Sequence, residues 1–420
     1  MSFQATLAVL RNAAFTRYQG AEAISMTGTW MQTMAQGWVM ATLTHSALML
    51  GLVNLAGGLP MILLTMKGGA VADRHDKRKI LFICQLVQIV LALVVGWLIL
   101  THQIAMIHVI VIAVLLGISN AFEMPAASAL VPDLVAKDEI GAAIALDRAT
   151  FHGTRLVGPA IAGLAISAYG EASAFFINAA TFLPLTLVLM TLPPRPLGTE
   201  EEEEQRGEGM GAGIAYVKGD KPTLAMIALI ASTTCFVFPA MTVLMPLYAK
   251  DVLLLPPQGM GMLMSISAIG SLAGSGLLLG IRRERRLPAI AIAAAGVALA
   301  MQGMAQAQGL VQGSAVMVLL TISMSTMMGL ANTVVQERAP AQLRGRVSAI
   351  AGLSFFGLMP LAGLLMSGLS DWLGMRHAFA ISGVIFAVAA AVVLAGPGRR
   401  ALSEHPGPVS QEGEHVPAGG

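Results

Sequence analysis

The chain reads as an all-α membrane protein: twelve transmembrane helices in two pseudo-symmetric six-helix bundles. Three observations predict this. Hydrophobic residues are 56% of the 420 and charged residues only 11%, with a mean hydropathy of +0.74, whereas a soluble domain carries about 25% charged residues. Apolar runs near the length that crosses a bilayer, about 20 residues, recur twelve times. The cations are sorted to one side. With the N-terminus in the cytoplasm, twenty Lys and Arg fall in cytoplasmic segments and two, Lys250 and Arg376, fall outside, the asymmetry that orients membrane helices.

The first six spans are predicted at 20–43, 47–71, 80–101, 104–128, 141–168 and 172–192, and the second six at 223–248, 259–281, 288–307, 310–333, 346–370 and 376–396. Residues 1–192 and 223–396 are therefore the two bundles. Between them, 193–222 is a cytoplasmic linker. It carries five consecutive glutamates, Glu200 to Glu204, a self-repelling run that stays hydrated. The tail 397–420 is rich in Gly, Pro and Glu and reads as disordered. The two cysteines, Cys84 and Cys235, lie far apart in apolar runs, which fits small buried residues better than a disulfide or a thiol metal site.

Between spans 2 and 3, Asp73-Arg74-His75-Asp76-Lys77-Arg78-Lys79 packs four cations and two carboxylates into seven residues. Charge at that density cannot lie in hydrocarbon, so the segment is a tight turn at the membrane surface. A degenerate copy, Arg282 to Arg286, follows span 8. Asp73-Arg74 matches Glu284-Arg285 at an offset of 211, and Asn120 matches Asn332 at 212, which argues for duplication of a six-helix unit.

The turn after span 2, spaced Gly-x-x-x-Asp-Arg-x-x-x-Arg from Gly69, resembles the signature loop of the major facilitator superfamily. Further motifs are similar to the branch holding enterobactin-type siderophore exporters and transmembrane secretion effectors: Gly28-Thr29-Trp30-Met31-Gln32 in span 1, Asn120-Ala121-Phe122-Glu123-Met124-Pro125 in span 4, and Gln336-Glu337-Arg338-Ala339-Pro340 with Arg344-Gly345-Arg346-Val347 before span 11. The resemblance implies the major facilitator fold and secondary transport. It also implies a cytoplasmic gate of Gly69, Asp73, Arg74, Arg78, Glu123, Arg344 and Arg346. In this gate Asp73 caps the start of span 11, where a helix N-terminus favours a carboxylate, and Arg74 or Arg78 pairs with Glu123. A purely topogenic basic loop is the simpler alternative. In span 5, Gly158-Pro159 and Gly163 resemble the bendable element of exporters, and Pro159 removes a backbone hydrogen bond there.

Span 1 carries Glu22, Ser25, Thr29, Gln32, Thr33 and Gln36 at three- to four-residue spacing, a polar stripe that must face protein or a watery cavity. Together with Arg155 of span 5 it is the candidate substrate wall. Glu22 and Asp147 are the candidate proton carriers, although Asp147 has the simpler role of neutralising Arg148 or Arg155. With the resemblance, the activity implied is proton-coupled efflux of a small organic molecule, whether siderophore, drug or other hydrophobic metabolite, across the bacterial inner membrane, by a monomer with both termini cytoplasmic. A facilitator or importer is the alternative, and a transport-inactive scaffold a remote one. No enzyme constellation, cofactor, metal site or nucleic-acid surface is expected; the partners are substrate, protons and membrane lipid.

Overall fold

The computed structural model describes residues 9–192 and 211–396. The glutamate run and the tail from residue 397 lie outside the described residues. Span 1 is Ala13–Leu43, and the Asn12 side chain caps it by accepting from the N–H groups of Ala14 and Phe15, satisfying donors that a helix start leaves open. The helix begins seven residues before the predicted 20, because its first turns bury Phe15 and Tyr18 against protein. Span 2 is Ala47–Arg74, capped by Ser46. Span 3 is Lys77–Leu100, capped by Asp76. Spans 4 to 6 are Met106–Asp133, Ile140–Tyr169 and Glu171–Thr191.

A short helix, Gly211–Gly219, precedes span 7, close to the interfacial helix that residues 208–221 suggest. Span 7 is broken: Lys221–Phe236 is followed by Phe238–Thr242, Met245–Leu247 and a π-helical turn at Tyr248–Val252. Pro239 and Pro246 each remove a donor from the ladder, which accounts for the interruptions. Spans 8 to 10 are Pro257–Leu277, Arg286–Gln306 and Gly309–Arg338. Span 11 is divided into Arg344–Phe356 and Met359–Leu373, ahead of Pro360, and span 12 is Met375–Ala395.

Nine helical stretches among the described residues are long and apolar enough to cross a bilayer by composition alone. Spans 1, 5 and 7 are the remaining three. The first carries the polar stripe, the second Asp147, Arg148, His152 and Arg155, and the third its breaks. The exceptions are thus the two spans with polar side chains and the one whose helix is interrupted, features that membranes tolerate where a helix faces protein or water. Outer faces carry apolar side chains instead, among them Trp97, Leu187, Ile292 and Val392, all more than 60% exposed. Such a belt suits lipid contact.

The duplication has a defined register. Lys77 pairs with Asp133 at 2.5 Å, and Arg286 pairs with Glu337 at 2.5 Å, giving offsets of 209 in spans 3 and 9 and 204 in spans 4 and 10. Asn12 Nδ2 donates to the Leu134 carbonyl at 2.7 Å, while Arg338 and Asp220 pair at 2.7 Å, so span 1 to span 7 is an offset of 208. Gly170 and Gly374, with φ of 84° and 82°, make the same turn 204 apart. Asn120 therefore corresponds to Met324 rather than Asn332. The insertion that separates the sequence offsets from the structural ones lies in the connections, where loop lengths are least constrained.

Candidate functional site

The two bundles touch at the end opposite the basic loops. Span 5 meets span 8 where Gly163 faces the backbone of Pro257 and Gln258; a Cβ on Gly163 would come within 2.8 Å of the Pro257 carbonyl. Span 2 meets span 11 where Gly51 faces Ser367 at the same 2.8 Å limit. Small residues let these helices approach as closely as membrane packing favours. Polar contacts seal this end: Ser46 Oγ and the Ala47 N–H donate to Asp371 at 2.6 Å each, and the Leu48 N–H donates at 3.1 Å. Asp371, in the last turn of the span 11 helix Met359–Leu373, thus caps the N-terminus of span 2, where the helix dipole favours a carboxylate. His45 lies 3.0 Å from Asp251, and Lys250 donates to the Ala41 carbonyl at 2.5 Å. None of these contacts was singled out from sequence. Ser46 ahead of an apolar run is a recognisable cap, but its distant acidic partner is visible only in three dimensions.

At the basic end the halves diverge. Leu63 and Met66 of span 2 and Leu353 and Phe356 of span 11 are exposed there. Two cations of the basic turn make contacts inside the first half: Lys77 pairs with Asp133 of span 4, while Arg78 binds Asp76 at 2.5 Å and the Leu192 carbonyl at the end of span 6. The Arg78 hydrogen bonds hold the Asp76 carboxyl below the usual carboxylate range. The expected pairing of Arg78 with Glu123 is not present. Spans 3 and 4 are antiparallel, so Lys77 and Arg78 lie level with Asp133, and Glu123 is ten residues, about 15 Å, deeper along its helix. Asp73 and Arg74 occupy the last turn of span 2, with Gly69 one turn earlier in open space. Arg344 and Arg346 start span 11, and the Arg346 stem lies under Gly213 of the short linker helix.

The span 1 stripe divides by burial. Ser25 donates to Gln85 of span 3 at 3.3 Å, and Gln32 accepts from Asn178 of span 6 at 2.5 Å, so both are committed to the interior of the first bundle. Thr29 and Thr33 are exposed and Gln36 is half-buried. At about 100° per residue, their arc lies between Ser25, which faces span 3, and Gly37, which packs on Pro246 of span 7. The arc therefore opens between the two halves. Glu22 lies on the same arc, one to two turns nearer the basic end, and is 9% exposed.

Midway along span 5, Gly158 packs against Trp30 and the Thr27 carbonyl. The Arg155 guanidinium stands 5.6 Å from the Trp30 ring centroid, and Trp30 meets Phe151 edge-on at 5.6 Å. Arg155 makes no ion pair among the described residues. Its charge is met by the ring face, a contact of modest strength. Asp147 feels the charge of neighbouring Arg148, which is exposed, and makes an ion pair with neither Arg148 nor Arg155 among the described residues.

A second polar group in the same bundle is centred on Glu123. Gln85 Nε2 donates to Glu123 Oε1 at 2.9 Å, Gln88 donates to Oε2, and Gln88 also reaches Ser119 Oγ at 3.5 Å. Glu22 lies close enough to Glu123 and Asp147 to feel their charges. Gln85 and Gln88 went unremarked in the sequence because neither belongs to a motif; their spacing on span 3 was the available signal.

Twelve helices in two like bundles, joined at one end and parted at the other around a polar arc, define a membrane transporter of the major facilitator type. Residues 4–405 match the transmembrane secretion effector family, and the chain belongs to that family, whose members are transporters and not enzymes. It is 24% identical over 371 residues to macrolide efflux protein A of Streptococcus pyogenes, covering 87% of this chain and 91% of the relative. It is 27% identical over 381 residues to the staphyloferrin A transporter of Staphylococcus aureus, covering 85% and 89%. Against the multidrug efflux pump Tap of Mycolicibacterium fortuitum it is 26% identical over 365 residues, covering 84% and 88%. Its fold is like that of the nucleoside transporter NupG, with TM-score 0.72, 14% identity and coverage of 91% and 98%. It is also like a bacterial homologue of the lysosomal transporter Spinster in an inward-facing, unoccupied conformation, with TM-score 0.71, 15% identity and coverage of 97% and 100%.

Proposed function

We propose that this protein exports a small organic molecule across the bacterial inner membrane in exchange for protons, and that the arrangement described is its inward-facing state. The carrying observation is the division of the interface: the halves are sealed at the end bearing Asp371 and Ser46 and parted at the end bearing the basic loops. The positive-inside asymmetry puts the parted end and both termini in the cytoplasm. The pathway runs between two halves of one chain, so a monomer suffices. Substrate enters from the cytoplasmic side onto Thr29, Thr33, Gln36, Trp30 and Arg155, a wall with apolar, hydrogen-bonding and cationic parts. Export accords with relatives named for macrolide, multidrug and siderophore transport.

Alternation then exchanges one seal for another. In the outward-facing state the Asp371 cap opens, and Asp73 reaches the start of span 11 near Arg344 and Arg346, a capping contact of the same physical kind. Gly158, Pro159 and Gly163 let span 5 flex beside span 8. The test is accumulation of radiolabelled erythromycin and of ethidium in cells with and without the protein, together with dye-reported proton flux in inverted vesicles. Lower accumulation that a protonophore abolishes is expected. Unchanged accumulation of every probe, with membrane insertion verified, would remove export.

A further inference from the structure

The two halves differ most sharply where the structural repeat makes them directly comparable. In the registers set by the paired ion bridges, Gln85, Gln88 and Glu123 correspond to Ala294, Val297 and Met327, and Tyr18 and Glu22 correspond to Met226 and Ile230. All five second-half residues are buried apolar side chains. The same helix packing is thus filled with hydrocarbon in one copy and with two carboxylates, two amides and a phenol in the other. Packing alone does not call for the polar set, and polar groups deep in a membrane protein are costly unless they have a use.

A second observation points the same way. The Tyr18 hydroxyl is fully buried and has no hydrogen-bond partner among the described residues, yet it lies close enough to Glu22, Asp147 and Glu123 to feel their charges. A buried hydroxyl without a partner is unusual. Glu123 is half-buried, whereas Glu22 is buried. The titratable groups facing the pair are Tyr18 from span 1, Cys84 from span 3 and Asp147 from span 5, the last with Arg148 beside it. Span 2, packed on span 4 through Gly68, contributes Lys67, which is exposed, and Asp73 and Arg74 in its last turn.

We propose that Glu123 and Glu22 together form the proton-binding site of the transporter, with Gln85 and Gln88 clamping Glu123 and Tyr18 bonding the pair in one protonation state. This rests on the proton-exchange reading and specifies its residues. One proton adds to a carboxylate oxygen of the pair and leaves from it, with no other bond changed. The two amide donors stabilise the ionised Glu123, and loss of a proton from the pair frees an acceptor that the Tyr18 hydroxyl can reach by a change of rotamer. Asp147 differs from the two glutamates in having a cation, Arg148, next to it in sequence. Glu123 therefore leaves the gate in which the family resemblance placed it and joins the coupling machinery.

The experiment is pH-difference infrared spectroscopy on the purified full chain, which reads the C=O stretch of protonated carboxyl groups and needs no substrate. Wild type should show a buried protonated-carboxyl band that is lost in Glu123→Gln and in Glu22→Gln and kept in Asp147→Asn. Tyr18→Phe should shift the band without abolishing it. A band unchanged in Glu123→Gln, or lost in Asp147→Asn alone, would overturn the assignment. The triple variant Gln85→Ala, Gln88→Val, Glu123→Met, which copies the second half, guards against misfolding: it should insert and melt as wild type does while lacking the band. If the band behaves as expected and no probe is exported, the proton site stands and the export reading falls.

Discussion

The first bundle spends its interior on polar side chains that bond across helices, and the second fills the equivalent space with Ala294, Val297 and Met327. Where the second bundle does bury hydroxyls, several turn back on their own helix: Thr233 bonds the Leu229 carbonyl, Thr234 that of Ile230, and Thr321 that of Met317. Such hydroxyls satisfy themselves locally and tie no helices together. One six-helix framework thus supports both an interior holding carboxylates and amides and one whose buried polar side chains are hydroxyls, so the fold does not dictate the chemistry.

The contrast can be broken most severely by Met327→Glu. It places a carboxylate where the second half offers Ala294 and Val297 as neighbours, and a loss of about 3 kcal/mol is expected from an unpaired buried charge, read as a lowered melting temperature in detergent. The reciprocal change, Glu123→Met, should leave that melting temperature within a few degrees of wild type and reduce proton-driven efflux about tenfold or more, an effect of at least ~1.4 kcal/mol on the driven step. A stability loss in Glu123→Met as large as in Met327→Glu would show that both interiors are packing requirements.

A weaker effect is expected at the sealed end. Asp371→Asn keeps the shape of the span 2 cap but removes its charge, at a cost of ~1 kcal/mol, so the outward-facing population should rise several-fold, measured as increased labelling of a cysteine placed at Leu48. The acid limb of stability supplies a further check. Burial raises the Asp220 carboxyl, but hydrogen bonds from Arg338 and Thr223 outweigh it and hold the group below its usual range. Its contribution is therefore present above the unfolded value of about 3.9 and lost as pH falls through the lower folded value. Asp220→Asn should flatten the acid-side fall in melting temperature, and an unchanged profile would show that the link between spans 7 and 10 carries no such energy. Smallest of all, Lys77→Ala and Arg286→Ala should each cost at most ~1 kcal/mol and by similar amounts, since both remove one partner of an ion pair near a helix end. Unequal losses would show that the two pairs are equivalent in register only.

Several of these positions are legible in the sequence. The polar stripe of span 1 is legible by its period, and the charged set of span 5 by its presence in a span; those two, with the interrupted span 7, lie outside the nine long apolar helices. The stripe's division was hidden: Ser25 and Gln32 have the same periodicity as Thr29 and Thr33, and only the positions of spans 3, 6 and 7 decide which of them meet a neighbour. The family resemblance implies a gate role for Glu123 at the inner end of span 4. The antiparallel alignment of spans 3 and 4 sets it beside Gln85 and Gln88 instead. The repeat was visible, but its register was not, because connections of unequal length shift the numbering without moving the helices.

By itself the sequence determined the number of spans, the side on which the cations lie and the presence of two like halves. Those properties follow from transfer of each segment between water and hydrocarbon, a sum over local residues. Tertiary structure alone decided which end of the molecule is sealed, that Asp371 caps span 2, and that Glu22 and Glu123 share one interior. Those depend on contacts between residues up to several hundred positions apart, and in a bilayer such contacts are selected by close packing and paired polar groups, which no single helix encodes.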